Sequence, residues 1–435
     1  MSVPSPGVTG FRWQHDRMAD GLAQEFSLRR IAVPAFGPST LWSIGNGAIL
    51  PVIALSARDL GASVGVAALF VGIAAASELL FAVPAGIVVD RFGERRALIL
   101  AGLGDAGACV LAFLAPNLSV LAVALALMGP TGAVFLLARQ SYLTAAAPVP
   151  IRARAMSTLG GVTRIGYFIG PLIGAPVVAA WGPAGGYAVA AVGGLAAAAI
   201  AVFSSDLVVE ESESTKIKVR LRTVVRENAR VFLTVGIGVI AIGLARSARV
   251  VAVPLWAEHI GLSAAQTSLT FAAAFAVEVL LFYPAGSIMD RFGRVWVAVP
   301  VAAVLGMCLL VLPLTNSLVG VTAVSVAMGV GNGLGSGIVM TLGADAAPER
   351  GRATFLGVWR LISLVGHNGA AVVIGAVAAV ATIGVASVAV GSLAIIGGAW
   401  LARWVPQYDP RAGATRAVER AGAGSARGVA PRESG

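Results

Sequence analysis

The sequence repeats itself at a distance of 200 residues. PAGIVVDRFG at 84–93 recurs as PAGSIMDRFG at 284–293, and the same displacement matches Glu78 with Glu278 and Gly61 with Gly261. The register holds from about Asn46 to Pro148, and it slips to 196 residues between Arg164 and Arg360. A repeat of this length in a chain of 435 residues indicates two fused copies of one structural unit.

Composition places this unit in a membrane. The chain is 57% hydrophobic and 12% charged, against roughly 25% charged residues in soluble domains. The net charge of +10 does not indicate nucleic-acid binding, because the basic residues lie in loops beside apolar runs and form no stripe with interleaved aromatic residues.

A bilayer core about 30 Å thick requires about 20 apolar residues in a helix. This length predicts an all-α integral membrane protein with twelve transmembrane helices, arranged as two pseudo-symmetric six-helix bundles. The predicted spans are 33–56, 64–88, 97–115, 118–140, 156–180, 184–204, 231–256, 264–288, 296–314, 318–342, 354–381 and 384–404.

The polar segments define the domain organisation. We expect an N-terminal tail over 1–32, bundles over 33–204 and 231–404, a linker over 205–230 and a disordered tail over 405–435. Lys and Arg concentrate in both tails, the linker and alternate loops, whereas the opposite side carries Arg58 alone. The positive-inside rule therefore predicts a multi-pass plasma-membrane protein with both termini in the cytoplasm.

The loop between the second and third spans carries Gly86-x-x-x-Asp90-Arg91-x-Gly93-x-Arg95-Arg96. Gly86 allows close helix approach and Gly93 allows a tight turn, while Asp90 can pair with a cation or cap another helix. The pattern resembles the signature loop of the major facilitator superfamily, which implies a conformational latch. The second copy keeps Gly286, Asp290, Arg291 and Gly293 but has Val295 and Trp296 in place of the final basic pair.

Span five carries Gly166-x-x-x-Gly170-Pro171-x-x-Gly174. Glycines four residues apart form a flat helix face and proline bends a helix, so close packing alone can explain the motif. It is also similar to the antiporter motif of the superfamily, with Ala175 replacing the last glycine. The resemblance implies a twelve-span drug:proton antiporter.

Charged residues inside the spans are the candidate functional groups, because each costs about 2.5–3.5 kcal/mol to insert. Glu78 and Glu278 lie twelve residues before Asp90 and Asp290, so each is about 18 Å from the loop. The proton-coupling candidates are Glu78, Glu278 and Asp105, and the candidate charge partners are Arg164, Arg360 and Arg246. We set Arg249 aside, since we expect it to snorkel to the outer surface.

A carboxylate in a dehydrated cavity takes up a proton more readily than one in water, and a neighbouring arginine opposes this. Such a pair could couple proton movement to rocking of the two bundles. The alternative is a set of permanent buried salt bridges that fix helix register.

The sequence therefore predicts a secondary transporter, with proton-coupled efflux of a small amphipathic or drug-like compound as the first hypothesis. A cavity with carboxylates would suit lipophilic cations. The alternatives are a transporter for a specific metabolite, sugar or organic anion, in which the arginines bind substrate, and a non-transporting membrane sensor. We expect no enzymatic activity, no cofactor and no metal. The expected partners are the small-molecule substrate, protons and the lipid bilayer, and we expect a monomer that does not bind nucleic acid.

Overall fold

The computed structural model describes residues 28–146, 149–203, 221–348 and 352–408. Its regular elements are helices. They are α1 (Leu28–Ile49), α2 (Ile53–Asp59), α3 (Val64–Phe92), α4 (Glu94–Phe113), α5 (Leu118–Ala146), α6 (Val149–Trp181), α7 (Gly185–Val202), α8 (Leu221–Glu227), α9 (Ala229–His259), α10 (Ala264–Phe292), α11 (Val295–Val311), α12 (Leu318–Leu334), α13 (Ile338–Ala346), α14 (Arg352–Val380) and α15 (Ile383–Trp404), with short 3₁₀ turns at Leu312–Leu314 and Val405–Gln407.

The membrane spans confirm the predicted fold class. Within the described residues, 11 stretches of helix are long and apolar enough to cross a membrane, and the bent pair α1–α2 makes up to 12. The bend of 43° lies at Pro51, a residue that supplies no backbone N–H to a helix. Span ten, predicted as one helix, is divided into α12 and α13 by a break at 335–337.

Several helices extend beyond the predicted spans, and two of these extensions change the depth of a charged residue. The fourth span was expected to end near residue 140, but α5 continues to Ala146, and α9 continues to His259 rather than 256. The predicted linker is helical over Leu221–Glu227. The remaining linker residues 204–220, the tail residues 1–27 and 409–435, and the loop residues 147–148 and 349–351 lie outside the described residues.

The repeat is visible in how α3 and α10 begin and end. The side chains of Ser63 and Ser263 each accept a hydrogen bond from a backbone N–H of the first turn. Gly93 and Gly293 end the helices with φ of 77° and 97°, values that residues with a Cβ rarely adopt. The two copies of the sequence motif therefore have the same helix boundaries.

Helices pack mainly within each half of the chain. In the first half, α1 lies against α6 and α7, α5 against α3 and α4, and α4 against α7. In the second half, α9 lies against α14 and α15, α10 against α12, and α11 against α15. Extensive contacts between the halves run along two helix pairs, α6 with α10 and α3 with α14. These two crossings position the candidate site.

The halves meet closely at the end of the molecule that carries Arg58. A Cβ on Gly65 of α3 would lie 2.8 Å from the carbonyl oxygen of Gly375 in α14, so only glycine allows this crossing. Nearby, Arg58 Nε lies 3.0 Å from each carboxylate oxygen of Glu258. We call this end of the protein the Arg58 end and the opposite one the loop end.

The glycines of the span-five motif pack against α1. A Cβ on Gly170 would lie 2.7 Å from the backbone nitrogen of Ala48, and one on Gly174 would lie 3.2 Å from the Ala48 side chain. Gly166 is similarly close to the backbone of Ile44 at 3.0 Å, and Pro171 is buried. In this structure the motif is therefore a helix-packing surface.

We predict that Gly170→Ala destabilises the protein by roughly 1–3 kcal/mol, because the added methyl group forces α1 and α6 apart. The matched control is Gly160→Ala on the same helix, where an added Cβ meets nothing within 4 Å. Reversible unfolding in bicelles would measure both. Equal stability of the two variants would contradict the packing role.

Candidate functional site

Glu278 is the buried carboxylate at the contact between the halves. The residue is 4% exposed, and its side chain forms a direct ion pair with Arg249 of α9. Asn332 Nδ2 of α12 donates to Glu278 Oε2 at 2.7 Å. Arg164 of α6, from the other half of the chain, places Nη1 3.9 Å from the same oxygen. One carboxylate therefore interacts with cations from both halves.

Glycines bring these groups together. A Cβ on Gly333 would lie 3.1 Å from Glu278 Cα, and one on Gly329 would lie 3.2 Å from Ala274 Cα. Without side chains at these positions α12 approaches α10 closely, and the neighbouring Asn332 reaches the carboxylate.

Two arginines donate hydrogen bonds to residues at the break in span ten. Helix α12 ends before Gly335, and Gly337 has φ of 81°. Arg246 of α9 donates to the Gly335 carbonyl, and Arg164 Nη2 donates to Ser336 Oγ at 2.5 Å. Since carbonyls at a helix end lack partners within the helix, the arginine from α9 satisfies one of them. The arginine from α6 connects the break to the first half.

Glu78 lies in a different environment from its repeat partner. It is half-buried, and the cations that act most strongly on its carboxylate are Arg360 of the second half and Arg139 of the first. Arg139 Nη1 donates to Thr163 Oγ1 at 3.2 Å, and its guanidinium lies 5.9 Å from the Trp42 ring. Glu78 therefore also interacts electrostatically with arginines of both halves.

Asp105 is the third acid, and it is 5% exposed. Thr131 Oγ1 donates to Asp105 Oδ1 at 3.2 Å, while the indole N–H of Trp42 faces the same carboxyl without reaching hydrogen-bond geometry. Within the described residues no ion pair with Asp105 is found. Its neighbours are therefore neutral, unlike those of the two glutamates.

Histidine adds a polar contact between α9 and α14. His367 Nδ1 and Ser247 Oγ lie 2.7 Å apart. In the described parts of the chain, no three His, Cys, Asp or Glu residues are grouped so that they could hold a metal ion.

The structure places the predicted charge partners in three ways. Arg164 lies beside Glu278, and Arg360 acts on Glu78. Arg246 donates to the carbonyl of Gly335 rather than to an acid. Among the charged residues that act on Arg246, Glu278 has the largest electrostatic effect.

The expectation that Arg249 snorkels outward is wrong. It is 8% exposed and pairs with Glu278. Because α9 continues to His259, Arg249 lies about 15 Å inside the helix end.

Sequence reasoning missed Arg139 and Asn332. Arg139 was expected at the end of the fourth span, but α5 continues to Ala146 and carries it about 10 Å inside. The repeat matches Asn332 with Gly132, a position that gave no sign of a polar role.

The first loop motif makes several contacts. Arg95 Nε donates to the Ala201 carbonyl at the end of α7 at 3.2 Å, and Arg91 lies 5.8 Å from the Phe92 ring. Asp90 and Arg96 are exposed, and Gly86 is partly buried near Leu137.

The second copy of the loop uses a different charged residue. Arg294 Nε lies 2.8 Å from Asp345 Oδ2, so this arginine links the loop to α13. Arg291 lies 5.4 Å from the Phe292 ring. The surroundings of Gly286 and Asp290 lie outside what the structure describes.

Residues 39–371 match the sequence model of the Major Facilitator Superfamily, and a second match covers 235–431. The chain belongs to the major facilitator superfamily. It is a multi-pass membrane transporter rather than an enzyme. A comparison with curated proteins finds no match.

Solved transporters have the same fold. A POT family transporter in complex with 5-aminolevulinic acid aligns with a TM-score of 0.70 at 12% identity, over 87% of this chain and 96% of that one. A bacterial homolog of the human lysosomal transporter Spinster, inward-facing and unoccupied, aligns with a TM-score of 0.64 at 15% identity, over 87% of this chain and 96% of that one. A D-xylose-proton symporter aligns with a TM-score of 0.64 at 15% identity, over 87% of this chain and 98% of that one. At these identities the likeness shows the fold.

We predict that Arg249→Gln lowers the free energy of unfolding by about 3 kcal/mol, because it leaves the Glu278 charge buried without its closest cation. Adding Glu278→Gln to this variant removes that charge, and we expect it to restore at least half of the loss. A double-mutant cycle of unfolding in bicelles measures the coupling.

The control cycle uses Arg58 and Glu258, whose side chains are 31% and 33% exposed. We expect this pair to couple by less than about 1 kcal/mol, because water screens it. Similar couplings in the two cycles would contradict the assigned burial of Glu278.

Proposed function

We propose that the protein is a proton-coupled secondary transporter of a small amphipathic solute, with Glu278 as the carboxylate that carries the proton. The observation that supports this role is the pair of cations on Glu278, Arg249 from its own half and Arg164 from the other. Protonation of Glu278 removes the charge that both arginines contact. The attraction between the halves then changes with the protonation state.

The conformation described here supports alternating access. The halves are joined at the Arg58 end by Arg58 and Glu258 and by the crossing at Gly65. We propose a state closed at the Arg58 end, with rocking about the site around Glu278.

The sidedness of this state follows from the distribution of basic residues. If the basic loop end is cytoplasmic, as the positive-inside rule predicts for a plasma-membrane protein, the conformation is inward-facing. Asp90 is then the latch residue in its released position, since it is exposed at the loop end.

Efflux of a drug-like compound is the first candidate for the direction. It is supported by the resemblance of the span-five motif to that of antiporters. The contacts of this motif are contacts with α1, so the geometry itself gives packing rather than direction.

Transport of a specific metabolite or organic anion is the second candidate. It is favoured by the arginines that surround the single carboxylate of Glu278. The two candidates differ in whether the proton and the solute move in opposite directions or together.

We predict that Glu278→Gln abolishes solute-evoked proton flux, because glutamine cannot take up a proton. Proteoliposomes that contain a pH-sensitive dye report this flux when solutes are added, and the sign of the signal gives its direction. The matched control is Glu227→Gln, which removes an exposed acid of α8. Undiminished flux in Glu278→Gln would assign the proton to another acid.

The proton flux of the Glu78→Gln and Asp105→Asn variants is measured in the same assay. Infrared difference spectra between acidic and alkaline buffers add a readout that needs no substrate. We expect Glu278→Gln to remove a band of a protonated carboxyl group, and Glu227→Gln to leave that band in place.

A further inference from the structure

Three arginines and one carboxylate form the charged cluster around Glu278. Arg164, Arg246 and Arg249 each interact electrostatically with Glu278, and Arg246 also interacts with the other two arginines. We infer that the transported solute is an amphipathic organic acid whose anionic group binds in this cluster. The inference rests on the proposed proton-coupled transport at Glu278 and specifies its substrate class.

The charges of this cluster do not balance within the described residues. Glu278 supplies one negative charge against three guanidinium groups. Around Glu78 two arginines, Arg360 and Arg139, act on one acid, so the excess of positive charge is smaller there. An excess of positive charge inside a membrane protein is costly, and a bound anion reduces that cost.

Arg246 is the residue best placed to receive the anion. It donates to a neutral acceptor, the carbonyl of Gly335, and in the described part of the chain no carboxylate forms a salt bridge with it. Its Nε is buried without a hydrogen-bond partner among the described residues. A guanidinium group can bind a carboxylate through two parallel hydrogen bonds.

The cluster adjoins aromatic side chains from both halves. The rings of Tyr167 and Phe275 lie 5.8 Å apart, and Phe271 lies 6.1 Å from Phe275. The Arg249 guanidinium lies 5.2 Å from the Phe275 ring. An apolar or aromatic body attached to the acidic group would therefore lie against these rings while the anion contacts arginine.

The charge arrangement also predicts how the solute and the proton are coupled. Glu278 and an anionic solute compete for the same arginines, so protonation of Glu278 makes these arginines available. The proton and the acid then occupy the site together and move in the same direction. A lipophilic cation would instead compete with the proton for the carboxylate.

The test uses the purified full-length protein and matched sets of small solutes. Phenylacetate and indoleacetate supply the acids, phenethylamine and tryptamine the corresponding cations, and phenylethanol and tryptophol the neutral bodies. A shift of the thermal unfolding midpoint with solute concentration reports binding to the folded protein. We expect the acids to stabilise the protein more than the amines and alcohols do.

Variants assign the binding to the cluster. We expect Arg246→Gln to weaken acid binding by about tenfold or more, because a hydrogen bond to a charged group is lost. Arg246→Lys keeps the positive charge but cannot donate two parallel hydrogen bonds. Its affinity for the acids should lie between those of the wild type and Arg246→Gln. Arg403→Gln, which removes an exposed arginine at the end of α15, should leave binding unchanged. Glu278→Gln should strengthen acid binding, which a merely structural role for the cluster would not produce.

Three results would overturn the proposal. They are a failure of both acids to shift the midpoint, a larger shift with the amines, or an equal weakening of acid binding by Arg246→Gln and Arg403→Gln. Failure of the proposed function has a different signature, since acids would then bind in an Arg246-dependent manner while Glu278→Gln retains proton flux.

Discussion

The architecture of the site depends on burying the Glu278 carboxylate in an apolar helix bundle. An ionised carboxylate in such surroundings is stable only when cations and hydrogen-bond donors replace the water it has lost. Arg249, Asn332 and Arg164 provide this replacement from three different helices. The glycines of α12 are needed for the same reason, because they allow the donor on that helix to come within reach. Packing and electrostatics are therefore parts of one arrangement.

Duplication explains where the halves meet and why their charges differ. Arg58 and Glu258 are separated by 200 residues, the period of the repeat, and they contact each other directly. A residue near a pseudo-twofold axis faces its own repeat-related counterpart, so identical charged residues at this position would repel each other. Opposite charges at equivalent positions turn the contact into an attraction. The two copies therefore differ in charge at the position where they meet.

The sequence predicted the membrane fold and the tight turn at Gly93 because those depend on local chain properties. Apolar length determines a span, and a turn with positive φ requires glycine. The partners of the buried acids could not be predicted in the same way. Arg249 and Arg139 were misplaced because each helix continues past the end of its apolar run, which carries the arginine deeper. Which arginine meets which acid depends on helix rotation and close crossings, and neither is encoded in the spacing of charges.

The asymmetry between the halves indicates a division of roles. Helix α5 is continuous at Phe135, which is fully buried and stacks on Trp42 with ring centroids 4.9 Å apart. The repeat-related position in span ten is Gly335, where the helix breaks and a carbonyl accepts from Arg246. One copy thus has an apolar stack where the other has a buried backbone carbonyl that accepts a hydrogen bond from arginine. A symmetric carrier would place equivalent polar groups in both halves. The second half supplies Glu278, Arg249 and Asn332 to the charged cluster, and the first half contributes Arg164 and the ring of Tyr167.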